Sequence, residues 1–231
     1  MMRASEMTPP VRAARARGQI REGFRYATRT PELALPLLML TVTGILAYEF
    51  PTTLPLLATD TFAGTAATYG LMAAVMAGGA IVGGVVAAAR TSRPHPRSLA
   101  ITCVGWGAAI LVTGLAPTLA TACIALAFVG YGSITFNSTA KTTLQLASRP
   151  ELRGRVMALW AIAWGGGSVI GAPLVGWAAE QFGGRWGLII GGVPTIILGL
   201  VMLPYLSRRP GSPPEDGSHR AETRQTDARS A

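Results

Sequence analysis

Six long apolar runs constrain this chain more than any other feature of its sequence. A hydrocarbon core about 30 Å thick needs about 20 apolar residues of helix to cross it, and successive runs of this length rarely occur in a soluble domain. The sequence therefore predicts an all-α, polytopic membrane protein whose partner is the lipid bilayer. The six predicted transmembrane helices are 33–57, 69–89, 99–115, 119–144, 156–179 and 186–206.

Two polar segments flank this predicted transmembrane domain of residues 33–206. Residues 1–32 are rich in arginine and poor in acids, and they contain no apolar stretch or cleavage site of a secretory signal. They indicate a cytoplasmic basic linker with an amphipathic surface helix from residue 18, or alternatively an organellar transit peptide. Residues 207–231 are proline-rich and lack apolar periodicity, which predicts a disordered cytoplasmic tail.

The basic residues predict the orientation of the spans, because Lys and Arg accumulate in cytoplasmic loops. Eighteen of the 20 lie in the two terminal segments, between the second and third spans, or between the fourth and fifth. The alternate connections contain only Arg185, and Lys141 falls within the fourth span. The pattern predicts a multi-pass protein of the cell inner membrane with both termini cytoplasmic.

The residue types that carry most enzyme chemistry are scarce. Cys103 and Cys123 lie inside apolar runs, whereas His95 and His219 lie in a loop and in the tail. These positions form no metal-ligand spacing or nucleophile constellation. The basic tails also lack interleaved aromatic residues for stacking bases. We therefore expect no enzyme activity, no metal, no cofactor and no nucleic-acid partner.

An internal repeat relates the second and fifth spans. Residues 78–84, GGAIVGG, match residues 166–172, GGSVIGA, in character at every position, 88 residues apart. Because the copies are three spans apart, an odd number, they must cross the membrane in opposite directions. Inverted repeats of this kind are found in transporters.

Several stretches resemble the major facilitator superfamily. Residues 149–159, RPELRGRVMAL, and 167–176, GSVIGAPLVG, resemble the last two helices of a bacterial exporter. Residues 18–26, 30–32 and 54–58 are similar to the linker and seventh helix of the siderophore-exporter and drug-efflux branch, the group of the enterobactin exporter. The resemblance implies the carboxy-terminal six-helix half of this fold, built from 3+3 inverted repeats.

The resemblance also implies a function. It indicates a secondary active transporter, a proton-coupled antiporter that exports a small, fairly apolar molecule, present here as a half-length unit. Full-length members have twelve spans, and alternating access rocks one half against the other. We therefore expect a separately encoded first half, or a second copy of this chain, as partner. The alternative is a non-transporting remnant or an accessory membrane protein.

Glu49 is the only acidic residue within the six predicted spans. An intramembrane carboxylate is costly and therefore indicates function, here a coupling proton. At 1.5 Å per residue it lies roughly 21 Å into its span, in the outer half. The alternative interpretation is a carboxylate that meets water beside a helix break at Pro51.

Polar residues of the fourth span are further candidates for transport. Lys141 lies about two turns from the inner end, where its stem can extend to the cytoplasmic interface. Its predicted height differs from that of Glu49 by roughly 13 Å, which disfavours an ion pair. Asn137, with Ser138 and Thr139, faces either a polar cavity or neighbouring helices.

The fifth span contributes two further groups of candidates. Gly167, Gly171, Pro173 and Gly176 resemble, with altered spacing, a glycine-proline motif of superfamily antiporters, from which we expect a bend and a packing face. Arg153 and Arg155 resemble part of a cytoplasmic loop that latches the inward gate. Topological anchoring would explain these two arginines equally well.

The charge partition predicts the result of a topology experiment. Reporter fusions after residues 93, 151 and 215 should all give cytoplasmic signals, and a fusion after residue 63 should give an external one. A periplasmic signal at 151 would overturn the placement of the spans.

Overall fold

The computed structural model describes residues 19–90 and 94–207, which form nine α-helices and no strand. Residues 1–18 of the basic linker and residues 208–231 of the tail lie outside the described residues. The helices are α1 Gln19–Arg29, α2 Pro31–Leu46, α3 Phe50–Leu56, α4 Ala66–Ala89, α5 Pro96–Leu115, α6 Leu119–Ala147, α7 Arg153–Gly165, α8 Ser168–Phe182 and α9 Gly184–Ser207.

Six helical stretches in the described part of the chain are long and apolar enough to cross a membrane. They are Pro31–Thr61, Ala66–Ala89, Arg97–Leu115, Leu119–Ala147, Arg153–Phe182 and Gly184–Leu206. The predicted all-α architecture with six transmembrane helices is therefore confirmed. Two spans are discontinuous: the first comprises α2, α3 and a π-helical turn Leu57–Thr61, and the fifth comprises α7 and α8.

The longer observed spans include three acidic residues that the predicted bounds left out, Glu32, Asp60 and Glu180. Glu32 lies in the first turn of α2. Asp60 lies in the π-helical turn and Glu180 near the end of α8, and both are exposed. Both lie at the end of the bundle away from α1. We call the end that carries α1 the basic end, because Arg90, Arg97, Arg149, Arg153 and Arg155 lie there.

Helix packing follows the two-fold relation that the repeat predicted. α4 of the second span packs on α6 of the fourth, and α7 and α8 of the fifth span pack on α2 and α3 of the first. If span one is exchanged with span four, span two with span five and span three with span six, the pair of spans two and four becomes the pair of spans five and one. The third and sixth spans, α5 and α9, pack on each other and form a pair that the exchange leaves unchanged. The bundle is therefore built from two inverted three-span units.

Glycines of the repeat make the equivalent contacts in both units. A Cβ atom on Gly79 or Gly83 would collide with the α6 backbone at Ala127 or Tyr131. The positions 88 residues later, Gly167 and Gly171, meet the backbone of the first span at Ile45 in the same way. Small residues allow this close approach, which supplies the van der Waals contact that joins helices in lipid.

Arg185, the exception to the charge partition, has a structural role. Its guanidinium donates hydrogen bonds to the backbone oxygens of Gly114 at 3.1 Å and Ala116 at 2.8 Å. These carbonyls lie at the end of α5, where intrahelical donors are absent and the helix dipole favours a cation.

Two adjacent glycines of α4 provide a matched test of this packing. Gly79→Ala forces a methyl group into the Ala127 backbone, whereas a Cβ on Gly78 has no heavy atom within 4 Å. Overpacking of this kind costs about 1–3 kcal/mol. We expect Gly79→Ala to lower the thermal midpoint in detergent and Gly78→Ala to leave it unchanged or raised. Equal midpoints for both variants would contradict the close α4–α6 contact.

Candidate functional site

The first span is interrupted at Glu49 because of the proline that follows. α2 ends at Leu46 and α3 begins at Phe50, with Pro51 in its first turn. A proline cannot donate a hydrogen bond to the carbonyl four residues earlier, and its ring clashes with that carbonyl. The break predicted beside Pro51 is therefore present, and it leaves Ala47, Tyr48 and Glu49 between the two helices.

Glu49 is buried inside the bundle. Only 5% of its surface is exposed, and its Oε1 atom has no hydrogen-bond partner among the described residues. It borders a cavity of about 10 Å³, closed in part by Ile110 of α5 and Gly187 of α9. This volume is about that of one water molecule. The carboxyl group is therefore almost completely buried, with space for about one water molecule beside it.

The fifth span is interrupted where it crosses the first. α7 ends at Gly165 and α8 begins at Ser168, because three successive glycines have poor helix propensity. Gly167 packs against Gly44, and a Cβ on Gly171 would lie 2.9 Å from the Oε1 atom of Glu49. The two broken spans therefore cross at their breaks, next to the buried carboxyl group.

The remaining members of the glycine-proline motif lie in α8. A Cβ on Gly176 would contact Thr52 of the first span at 3.2 Å, so this glycine belongs to the expected packing face. Pro173, in contrast, is exposed and lies inside α8. The interruption of the fifth span occurs at 166–167, whereas the bend expected at Pro173 stays a prediction.

A row of aromatic side chains extends from the Glu49 break toward the basic end. We define the aromatic row as Tyr48, Trp164 and Trp160. Tyr48 and Trp164 lie edge to face with centroids 6.2 Å apart, and Trp164 stacks on Trp160 at 5.7 Å. Behind it, the buried Trp106 packs on Tyr48 at 4.8 Å. Trp164 is 42% exposed, so the row presents an apolar face on the surface of the six-helix unit.

Polar groups of α6 lie beside the aromatic row. The Tyr48 hydroxyl donates to the Ser133 backbone oxygen at 3.4 Å, and the Asn137 side chain is a polar neighbour of the same hydroxyl. Lys141 places its Nζ 4.9 Å from the centroid of Trp160, a cation–π distance. The indole nitrogen of Trp160 is buried without an acceptor among the described residues.

Of the predicted transport residues, Asn137 and Lys141 therefore lie beside the row, whereas Glu49 lies behind its end. By helix rise, Glu49 and Lys141 differ in height by roughly 18 Å along their spans. This separation is too large for a direct ion pair between Glu49 and Lys141. Ser138 and Thr139 instead line a separate groove at the basic end.

The two arginines predicted for a gate loop lie at the start of α7. Arg153 is exposed and opens the helix, and Arg155, two residues later, is half-buried. The preceding loop contacts α1, where the Tyr26 hydroxyl accepts the backbone N–H of Arg149 at 3.5 Å. α1 therefore packs against the loop that the family resemblance assigns to the inward gate.

The sequence analysis missed the aromatic row. Trp160 and Trp164 are four residues apart, a spacing that puts both rings on one helix face, and this signal was available. Tyr48 belongs to another span, and its contact with Trp164 depends on how the two broken spans cross.

A family model described as Major Facilitator Superfamily matches residues 36–230. No curated protein gives a significant match to the chain.

The burial of Glu49 can be tested by cysteine accessibility. In a Cys103→Ala, Cys123→Ala background, Glu49→Cys should react with a water-soluble maleimide at least about tenfold more slowly than Asp60→Cys. The reactive thiolate forms readily only where water reaches the thiol. Labelling from both membrane faces removes any dependence on orientation, and equal rates at the two positions would show that water reaches Glu49.

Proposed function

Because the chain belongs to the major facilitator superfamily, whose members are membrane transporters, we propose that it is a proton-coupled exporter of small, fairly apolar molecules. The observation that carries the proposal is the buried Glu49 at the crossing of two broken helices. Discontinuous helices near the bilayer midplane are where transporters bind substrates and coupling ions.

Glu49 is the proton carrier in this proposal. An ionised carboxylate costs more free energy in dry packing than in contact with water. The charge state of Glu49 and the opening of the crossing to water are therefore thermodynamically linked. Proton binding favours the closed packing against Gly171, and proton release favours an arrangement in which water reaches the carboxylate.

The aromatic row supports an apolar substrate. Trp160 and Trp164 offer flat apolar surface, while Asn137, Lys141 and the unpartnered indole nitrogen of Trp160 offer hydrogen bonds beside it. A mostly apolar surface with a few polar groups is typical of small-molecule sites. Tyr48 precedes Glu49 in the chain and contacts Trp164. A substrate bound against the aromatic row would therefore lie next to the residue that precedes the proton carrier.

The exposed face of the aromatic row is expected to contact another protein surface. Exposed polar side chains such as Lys141 are costly in lipid, and alternating access requires a second wall. We propose that a second six-span unit, either a different one or a second copy of this chain, faces the aromatic row. By the charge partition, the basic end faces the cytoplasm of the cell inner membrane.

Glu49→Gln tests the proposed proton step. The amide keeps the shape of the side chain and cannot ionise. The protein, with any co-purifying partner, is reconstituted into vesicles that contain a pH-sensitive dye, and proton movement is measured while small aromatic compounds are added under an imposed pH gradient. We expect Glu49→Gln to abolish compound-dependent proton movement, while the control Asp60→Asn, at an exposed carboxyl group, retains it.

Two results would contradict the proposal. Undiminished proton movement in Glu49→Gln would remove this residue from the mechanism. If the wild-type protein binds compounds, as measured by tryptophan fluorescence, but moves no protons with them, it is not proton-coupled.

A further inference from the structure

A polar groove lies at the basic end of the bundle, away from the aromatic row. α4 and α5 both pack on α6, and the groove lies where α4 ends, α5 begins and α6 passes between them. Its volume is about 400 Å³, within the range of about 300–1,000 Å³ that is typical of small-molecule pockets. The polar lining residues are Arg90, His95, Ser98, Ser138, Thr139 and Thr142.

The lining is rich in hydrogen-bond donors that have no acceptor. In the described part of the chain, the Arg90 guanidinium and the hydroxyls of Ser138 and Thr142 make no hydrogen bond. Ser138 and Thr142 are four residues apart on α6, so their hydroxyls lie on the same helix face. Among the described residues, no carboxylate lines the groove and pairs with this guanidinium.

His95 adds a donor in a fixed orientation. Its Nδ1 accepts the backbone N–H of Arg97 at 3.3 Å, and its backbone oxygen accepts the Ser98 hydroxyl at 2.6 Å. Because Nδ1 is occupied as an acceptor, the ring proton lies on Nε2, which donates. Ser98 thus holds the loop in place, and His95 supplies an N–H at the groove.

The helix ends contribute partial charges of opposite sign. The start of α5 favours an anion, and the last carbonyls of α4 disfavour one. Because the two helix ends oppose each other, Arg90 determines the sign of the electrostatic potential in the groove, which is positive. A guanidinium with adjacent hydroxyl and imidazole donors matches the oxygens of a phosphate group, which an arginine can bind in bidentate fashion.

We propose that this groove binds a phosphate ester, with Arg90, His95, Ser138 and Thr142 as donors to its phosphoryl oxygens. The groove is larger than a bare phosphate ion requires, so the ligand carries an organic substituent. It opens at the end of the spans, the height of lipid headgroups, where basic pockets between helices bind anionic lipids. The same chemistry is present in a soluble phosphate ester, and the experiment separates the two sources.

Native mass spectrometry of the purified full chain in a non-ionic detergent provides the test. The probes are phosphatidylglycerol, diacylglycerol as a lipid without phosphate, and sn-glycerol 3-phosphate as a soluble ester. We expect one phosphatidylglycerol or one glycerol phosphate to bind at least about tenfold more tightly than diacylglycerol. Tighter binding of the lipid identifies a headgroup site, and equal or tighter binding of glycerol phosphate identifies a soluble ligand.

Matched variants separate a specific site from general attraction to basic charge. Arg90→Gln should weaken binding of the phosphate probes at least about tenfold, since charge-assisted hydrogen bonds to phosphate are lost. Arg97→Gln removes the same charge from an exposed side chain outside the groove and should change binding less than twofold. Thermal midpoints without ligand verify folding, and a Ser138→Ala, Thr142→Val pair repeats the test without altering charge.

Two outcomes would overturn the proposal. One is equal weakening by Arg90→Gln and Arg97→Gln together with no effect of the hydroxyl pair, which would indicate charge attraction alone. The other is equal binding of phosphatidylglycerol and diacylglycerol with no binding of glycerol phosphate, which would show that phosphate is not recognised.

Discussion

In the hydrocarbon core of a bilayer no water is available to a backbone N–H or C=O, so each group must find its partner within the protein. A continuous helix meets this requirement by itself, and a broken one does not. The interruptions of the two broken spans, at Ala47–Glu49 and at 166–167, lie close together: Gly167 packs against Gly44 and Ile45, and a Cβ on Gly171 would approach Glu49. At the breaks, local bonds meet part of this requirement: the Ala47 N–H donates to the Thr43 oxygen, and the Gly166 N–H donates to the Ile162 oxygen. The close approach of the two spans buries Glu49 beside Gly171.

Glycine makes this arrangement possible. The breaks approach so closely that a single Cβ on Gly167 or Gly171 would overlap the other span, and the equivalent contact joins α4 to α6 through Gly79 and Gly83. The same local motif thus joins helices in both units. In the first copy the helix stays continuous, whereas in the second copy a third consecutive glycine, Gly165, precedes the motif and the helix breaks. The copy without the additional glycine forms only a packing face, and the copy with it forms the helix break at the candidate site.

The sequence was sufficient to predict the six spans, since hydropathy and length reflect the bilayer alone. It was also sufficient for the break beside Pro51, which has a local steric cause. The break of the fifth span at 166–167 was not predicted, because it depends on three successive glycines acting together, and the sequence analysis expected only a bend at Pro173. The aromatic row and the donor-lined groove combine residues from distant spans, so their assembly depends on helix rotation and crossing, which no local pattern specifies. The roles of Glu49, Asn137 and Lys141 in transport stay predictions.

The pairing of α5 with α9 has a consequence for biosynthesis. Gly107 meets the α9 backbone at Gly192 and Ile196, and Gly199 meets the α5 backbone at Val104, so this contact joins segments that leave the ribosome far apart in time. The third span is inserted before the sixth. Until the sixth span is inserted, the glycine face of the third span contacts lipid or the insertion machinery. Contacts between residues so distant in the chain form slowly, and partly assembled chains expose surfaces that associate wrongly. In a nascent chain of five spans, the third span can therefore pack on α6 but still lacks α9, and its glycine face stays open to contact with other membrane proteins.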